Sequence, residues 1–449
     1  MSNSPAQTFT ARVRRFIEAG QLLRPGARYI VGLSGGADSV ALLLTLKRLG
    51  YTVEAATCNF HLRGAESDRD EAFCEQLCRR EQIAFHRVHF DTLAYASLHK
   101  VSIEMAARDL RYAYFEQLRR DLGAEAVCVA HHEDDCVETV LLNLVRGTGL
   151  HGLRGILPRS GNVVRPLLCV SRKDIEAFLA AIGQDYVTDS SNLVADVQRN
   201  KLRLEVLPLL ETLNPAVRQN IARTALNLQE AVLVCDESLA RSAEAVCPSA
   251  AQDTIDIAAL LAQPSPESTL YYIVSRRGFS PSQTREMLHS LETGSGRLWT
   301  SPTHELTVDR GRLLLQEKSA PARRPMHIPE TGTYVYDSSH RFSFTTEPVG
   351  EGYEPSRAAD CVCLDASLVA WPLTVRSVAE GDRFVPFGMK GQKLVSDFLT
   401  DAKCSLFDKR RQLVVCDATG RILWLVGRRA DNRFRIAPTT TVALRIASC

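Results

Sequence analysis

Tyr29-Ile30-Val31-Gly32-Leu33 runs straight into Ser34-Gly35-Gly36-Ala37-Asp38-Ser39, and the apolar pattern from Val40 to Leu49 follows at once. A short apolar run that ends in glycines and opens a helical pattern predicts a strand-to-helix turn. Adjacent glycines let the backbone come close to a phosphate, the serine hydroxyls donate hydrogen bonds, and the helix N-terminus adds free N–H groups and a positive dipole end. The stretch matches neither G-x-G-x-x-G nor G-x-x-x-x-G-K-[ST], and it lacks the lysine that steadies β and γ phosphates in kinase-like loops. It holds Asp38 instead, whose carboxylate would repel phosphates unless Mg²⁺ bridged the two. The plain alternative is a Gly-rich turn with an aspartate cap; the flanking strand and helix favour the phosphate cradle.

Outward from this turn the chain alternates strand and helix patterns. Val53 to Cys58, Ala84 to Phe90 and Ala126 to Ala130 read as further strands; Asp68 to Glu81, Glu104 to Leu122 and Glu133 to Val145 read as helices. This order predicts an α/β fold, a doubly wound parallel sheet covered on both faces. Ligands of such sheets bind beyond the carboxyl ends of the strands, so the loops that follow them are where chemistry is expected. Ahead of the first strand, Phe9, Val13, Phe16 and Ile17 share one helical face, a packing element.

From Asn214 and Pro215 the pattern changes, and Val217, Ile221, Ala225, Leu228, Val232, Cys235 and Leu239 trace one face of a long helix. Ser280-Pro281-Ser282-Gln283 is a capped helix start. Leu306 to Val308 and Leu313 to Leu315 bracket Asp309-Arg310-Gly311-Arg312 as a hairpin, and Glu317 to Pro329, with three prolines, reads as a linker. From about Tyr334 onward the chain is mostly strand, with a helix near Val395 to Thr400 and a hairpin across Asp417-Ala418-Thr419-Gly420.

The whole chain has 449 residues, which predicts two to four domains. With 45% hydrophobic and 24% charged residues it is an ordinary globular composition, not a disordered, collagenous or membrane-spanning one. The first sixteen residues have no apolar core behind a basic region, so no secretory signal is expected and the cytoplasm is the expected location. Thirteen scattered cysteines without a C-x-x-C pair read as reduced thiols. The formal charge of +2 argues at first sight against a nucleic-acid partner, but it is unevenly distributed. Residues 381–449 hold 13 Lys plus Arg and 6 Asp plus Glu, a net of +7. Lys409-Arg410-Arg411 and Arg428-Arg429 to Arg435 supply most of it, a pattern suited to an RNA backbone; the alternative is a solvated, charge-guarded strand edge.

A second constellation follows the fourth strand: His131-His132-Glu133-Asp134-Asp135-Cys136-Val137-Glu138-Thr139. Asp134, Asp135 and Glu138 fall on neighbouring faces of the ensuing helix. Carboxylates and imidazoles at the mouth of a parallel sheet suit a general base, metal ligands or an ammonium clamp. A zinc-protease helix is excluded because Cys136, not histidine, stands four residues after His132. Asn59 to Asp68, including His61, follows the second strand, where a base or ribose would lie. Arg108 and Arg111, one turn apart beside Tyr112, suit a carboxylate or phosphate. Arg199-Asn200-Lys201-Leu202-Arg203 is basic enough to touch RNA.

Ser34 to Ser39 resembles the signature of the PP-loop ATP pyrophosphatases, which cleave ATP to AMP and pyrophosphate. His61 to Gly64, Ala107 to Tyr112, His131 to Thr139, Arg146 to Gly149, Asp189 to Asn192, Arg199 to Arg203, Gly296-Arg297 and Gly381 to Gly391 together are similar to the tRNA(Ile)-lysidine synthetase family across nearly the whole chain. One departure is Cys136, where members often carry glutamine. The resemblance implies a catalytic ATP-binding domain over 1–213, a mainly helical tRNA-contacting domain over 214–320, linker and strands over 321–370, and an α+β tRNA-binding domain over 371–449. It implies ATP and Mg²⁺ as cofactors, and free lysine and an isoleucine tRNA with a CAU anticodon as partners. ATP is expected at Ser34, Gly35, Gly36, Ala37, Asp38, Ser39, Asn59 and His61, with Mg²⁺ at Asp38. Asp134 is expected as general base, with Asp135 or Glu138 holding lysine's amines and Arg108 or Arg111 its carboxylate. tRNA is expected at Arg199, Asn200, Arg203, Lys409, Arg410, Arg428, Arg429 and Arg433. Whether two copies pair as a homodimer is left open.

Two other readings compete. A tRNA sulfur-transfer enzyme would want reactive thiols, and the chain offers only Cys74-x-x-x-Cys78 and Cys361-x-Cys363. A non-catalytic tRNA-binding protein would not need an intact loop and acidic cluster.

Overall fold

The computed structural model describes residues 4–62, 64–188, 198–248, 253–291, 297–318, 324–356 and 358–448. Arg63, Asp189 to Asn192 and Gly296, singled out above, lie outside them. The chain divides into two compact units, Met1–Asp236 and Glu237–Cys449.

In the first unit a six-stranded sheet is built from β1 (Arg28–Gly32), β2 (Thr52–Asn59), β3 (Phe85–His89), β4 (Ala126–Cys128), β5 (Arg159–Ser160) and β6 (Val163–Val164), in the order β3-β2-β1-β4-β6-β5. All neighbours are parallel except β5 with β6, and Val31 stands opposite both Ala55 and Cys128. The strand order reverses between β1 and β4, so a crevice opens beyond their carboxyl ends, and the loops that leave them are Ser34 to Gly36 and Val129 to His132.

Helices cover both faces: α1 (Pro5–Ala19), α2 (Ala37–Arg48), α3 (Ala65–Arg80), α4 (Thr92–His99), α5 (Ile103–Asp121), α6 (Glu133–Arg146), α7 (Leu150–Leu153) and α8 (Arg172–Ala181). Strand periodicity assigns the faces. Tyr29, Val31 and Leu33 pack with Val13 and Ile17 of α1, Leu42 and Leu43 of α2 and Phe178 of α8, while Ile30, Ala56 and Val127 pack with Phe115 of α5. The apolar face read in α1 is buried at Phe9, Val13 and Ile17, and the Phe9 ring stacks on Phe178 at 4.5 Å. Beyond the sheet, α9 (Gln198–Lys201), a π-helical turn over Leu202–Val206 and α10 (Leu207–Leu213) lead to α11 (Val217–Val246). Helix α8 and the Gln198–Leu213 segment were not anticipated from the sequence. Among the described residues no helix is long and apolar enough to cross a membrane.

The second unit begins with helices Ile257–Leu261, Pro266–Ser275 and Pro281–Ser290 against a four-stranded antiparallel sheet, so its first part is helical with a sheet added. The expected hairpin is there: strands His304–Asp309 and Arg312–Glu317 pair across Arg310 and Gly311, both at positive φ. Further on, Met326–Ile328 pairs with Leu373–Ser377, and Arg341–Pro348 pairs with Val442–Ser448, so the segments 321–370 and 371–449 share both of the following sheets. Phe342, Phe344, Val375, Trp424 and Ile446 form the core of this part. The expected helix is Val395–Asp401; a second, Leu406–Arg411, starts at a Ser405–Asp408 capping box and ends in Lys409, Arg410 and Arg411, the charge its C-terminal dipole favours.

Candidate active site

The Ser34–Ser39 turn is held by its own hydroxyls. Ser34 N donates to Ser39 Oγ at 3.1 Å, Ser39 Oγ donates to Gly36 O at 3.0 Å, and the two Oγ atoms lie 3.2 Å apart. Gly35 has φ +84°, and a Cβ there would stand 3.3 Å from Cys74 Sγ and 3.4 Å from Val187, so both conformation and space call for glycine. Val187 N closes the turn from behind by donating to Gly35 O at 2.9 Å.

Above the turn is a cavity of about 390 Å³, lined by Ser34, Gly36, Asp38 and Ser39 on one side and by Cys58, Phe60, Arg108, Arg111, Tyr112 and His131 on others. The arginine pair of α5 therefore faces the same space as the Ser34–Ser39 turn. Arg108 lies over the Tyr112 ring at 5.0 Å and Arg111 over Phe60 at 5.2 Å, which preorients both guanidiniums. Asn59 and His61 are not among the lining residues. Asn59 alternates to the other side of its strand, where it donates to Asp68 and Glu71, and His61 meets His89 at 2.9 Å.

At the start of α6, favoured for acids by the helix dipole, the carboxylates meet partners distant in sequence. Asp38 Oδ2 accepts from Arg172 Nη1 at 2.7 Å. Asp134 accepts from Arg218 Nη1 at 3.0 Å and from Arg172 N at 2.8 Å. Glu138, with no exposed side-chain surface, accepts from Arg203 Nε at 2.7 Å and Nη2 at 3.1 Å, a bidentate pair. Arg199 Nε lies 3.1 Å from Glu138 Oε2, close enough for an ion pair but not aligned as a hydrogen bond, and its Nη2 donates to Thr139 Oγ1. Asp135 accepts from His132 N at 3.0 Å and has Arg203 Nη2 at 3.8 Å. The buried His132 ring sits among three carboxylates, 3.8 Å from Asp38, 3.6 Å from Asp134 and 3.5 Å from Asp135. Loop and cluster are one site, joined at this ring.

Burial pushes the Asp38 carboxyl above its ordinary value, against the pull of His132 and Arg172. For Asp135 burial pushes the same way, but His132, His131 and the His132 N–H outweigh it, so its carboxyl is held low. Arg172, Arg203 and Arg218 are each held above the usual guanidinium value because their carboxylate partners outweigh burial. Among the described residues no group of three His, Cys, Asp or Glu side chains is placed to hold a metal ion among themselves.

Sequence reasoning missed Arg172, Arg218 and the contact of Arg165 Nε with His131 Nδ1 at 3.2 Å. None lies near a motif, and only the chain's folding brings them to α6. Arg199 and Arg203, expected on RNA, turn toward Glu138; Asn200 also has partners within the protein. Cys136 faces away from the carboxylates: its Sγ accepts from Ile156 N at 3.4 Å and packs with Val140 and Ala225. Cys74 and Cys78 are buried with thiols pushed up to about 12, unsuited to sulfur relay.

In the second unit, Arg428 and Arg429 are exposed, Arg428 donating to Gln412 at 2.7 Å. Lys409 donates to Thr400 Oγ1 at 2.8 Å and Arg410 lies 3.6 Å from Glu305. Arg433 is engaged differently, its Nε and Nη2 reaching the fully buried Asp431 at 3.0 and 2.8 Å.

Residues 5–210 match the PP-loop domain family and residues 249–318 the TilS substrate binding domain family. The chain is 45% identical over 429 residues to a tRNA(Ile)-lysidine synthase of Parabacteroides distasonis, covering 95% of this chain and 97% of the relative. It is 43% identical to that of Bacteroides thetaiotaomicron, over 96% and 97% of the two chains, and 39% identical to that of Porphyromonas gingivalis, over 96% of each. With a glycine-rich strand-to-helix turn, a cavity beside it and near full-length identity of this order, the chain belongs to the tRNA(Ile)-lysidine synthase family.

Proposed function

We propose that this protein ligates lysine to C2 of the wobble cytidine in a CAU-anticodon isoleucine tRNA, using ATP and releasing AMP and pyrophosphate. The observation that carries the reading is the junction at His132, where Asp38 of the glycine-rich turn and Asp134 and Asp135 of α6 come within 4 Å of one ring. A urea-type carbonyl is a poor electrophile, and AMP on its oxygen becomes the leaving group. The cytidine O2 attacks the α phosphorus, pyrophosphate departs, and the lysine ε-nitrogen then adds to C2 and expels AMP. Ser34, Ser39 and the N–H groups of the turn stabilise charge as pyrophosphate leaves, and Arg108 and Arg111 bind phosphate or carboxylate oxygens in the same cavity.

Asp38 fits Mg²⁺. Its Oδ1 is buried without a hydrogen-bond partner, and Mg²⁺ commonly binds one or two carboxylates together with substrate phosphates rather than an all-protein cage. Bound there, the ion would neutralise phosphate charge that Asp38 alone would repel. Free lysine is almost entirely ammonium at neutral pH, with an ordinary pKa of about 10.4. Asp135 or Glu138 holds its amines, in exchange for contacts now made to Arg203 and Arg199. Asp134 takes a proton from the ε-ammonium, and the free amine so formed adds to C2 as AMP leaves; each of its oxygens keeps a second lone pair beyond its contacts to Arg218 and Arg172. Contacts from Lys409, Arg410, Arg428 and Arg429 to the tRNA backbone supply affinity.

The test is incubation with ATP, each amino acid in turn and the tRNA transcript, following AMP release and the mass of the wobble nucleoside. Lysine-only incorporation is expected; thiolation, or no modification, overturns the reading.

A further inference from the structure

Arg165 stands one residue beyond β6, whose Val164 O accepts from Val129 N at 2.9 Å, so the sheet itself sets Arg165 beside the loop carrying His131. Its guanidinium is pinned: Nη1 donates to Leu157 O at 2.9 Å and Nε donates to His131 Nδ1 at 3.2 Å. A guanidinium has only donors, so the bond to Nδ1 exists only when that nitrogen carries a lone pair. An imidazolium, or the Nδ1–H tautomer, would set two N–H groups against each other. The proton of the neutral ring then belongs to Nε2, for which the described residues offer no acceptor, and the ring borders the cavity beside Ser34 and Asp38.

We infer that Arg165 is a positioning residue that holds His131 as a neutral Nε2–H donor to a substrate oxygen in this cavity, one that gains charge as the α phosphorus is attacked. This rests on the function proposed above and gives His131 a role distinct from proton transfer: its Nε2 is occupied by hydrogen and its Nδ1 by Arg165. The surroundings agree. Burial is the main force that drives the ring's pKa down to about 4, with Arg165, Arg199 and Arg108 assisting and Asp135 opposing. Tyr112 lies beside the Arg165 guanidinium. A donor that never carries charge at working pH needs no proton supply and stays in one geometry through the reaction.

The experiment has two arms. In full-length protein with ¹⁵N-labelled histidine, assigned with His131→Gln, His131 should remain the neutral Nε2–H tautomer from about pH 5 to 8, the range in which an ordinary histidine titrates. In Arg165→Met the same ring should lose its fixed tautomer, with part of the neutral population carrying the proton on Nδ1. In single-turnover adenylation with ATP and the tRNA transcript, His131→Ala should lose about 10²–10³-fold, the loss for one oxyanion donor, whereas His131→Gln, whose amide N–H replaces Nε2–H, should stay within about tenfold of wild type. A wild-type ring that titrates near pH 6.5 or carries its proton on Nδ1, or a glutamine variant as impaired as the alanine one, overturns the inference. The spectrum needs no substrate, so failure of the proposed function, seen as no AMP release by wild type, is distinguishable from failure of this role.

Discussion

Around α6, Asp38, Asp134, Asp135 and Glu138 are met by Arg172, Arg199, Arg203 and Arg218, with Glu138 fully buried; in residues 381–449, Arg428 and Arg429 stand exposed without carboxylate partners among the described residues. The first region spends its charge on itself and keeps geometry. Burial makes Glu138 in particular sensitive to loss of its partner, because its charge would stay where water cannot reach it. The second keeps its charge available, and any single exposed cation there contributes little to folding. Arg433 shows that the distinction is not one of sequence neighbourhood. It belongs to the basic run, yet it neutralises the buried Asp431, whose carboxylate also accepts from Val385 N at 3.0 Å.

The largest effect that would break this comparison lies at Asp38. Asp38→Asn should reduce tRNA-dependent AMP formation by about a thousandfold, taking the upper range for loss of one charge-stabilising group, with the circular dichroism spectrum unchanged. Near-normal AMP release would separate the acidic cluster from the chemistry. Next, Arg203→Ala should destabilise the first unit by about 3–5 kcal/mol, read as a lower urea midpoint at constant slope, since it takes the bidentate partner from the fully buried Glu138. Arg433→Ala should cost a similar amount, about 3–5 kcal/mol, by leaving Asp431 unpaired, whereas Arg429→Ala should leave the midpoint within about 0.5 kcal/mol. The reverse ranking would erase the difference between the two arginines.

Arg429→Ala should instead weaken tRNA binding and reduce the slope of log affinity against log salt by about one, measured by filter binding across a salt series. An unchanged slope would remove Arg429 from the RNA-facing set. The smallest effect concerns acid stability. Because the Asp135 carboxyl is held low in the folded protein, its contribution is fully present above the unfolded value of about 3.9 and is lost as pH falls through the lower folded value. The stability gap between wild type and Asp135→Asn should therefore narrow as the pH is taken from about 5 to about 3. Asp38 has the opposite sign: its raised folded value favours the protonated form, so its contribution is present below the unfolded value and is lost as pH rises through the folded one.

The four central strands and the helices that follow them were legible because their apolar residues repeat at the periods that burial on a sheet or helix face requires. Helix α8 was passed over although Ser171 and Asp174 form a capping box, and Leu406–Arg411 was read only as charge because its single buried residue, Phe407, leaves no periodic stripe. Among site residues, Ser34 to Ser39 could be read directly, since a glycine-rich turn does its work through its own backbone. Asn59 and His61 could be placed near the site but not oriented, because one step along a strand reverses the direction of a side chain.

By itself, then, the sequence determined what local chemistry dictates: the glycine-rich strand-to-helix turn, the parallel α/β order, the acids at a helix N-terminus and the excess of base toward the end. Only the tertiary structure decided which charges are free. Arg172, Arg203 and Arg218 lie 134, 65 and 84 residues from the carboxylates they meet, and Arg165 lies 34 from His131. A charge reports its sign in sequence, but its partner, its solvent and its availability to a substrate are set by whatever the fold brings within a few ångströms.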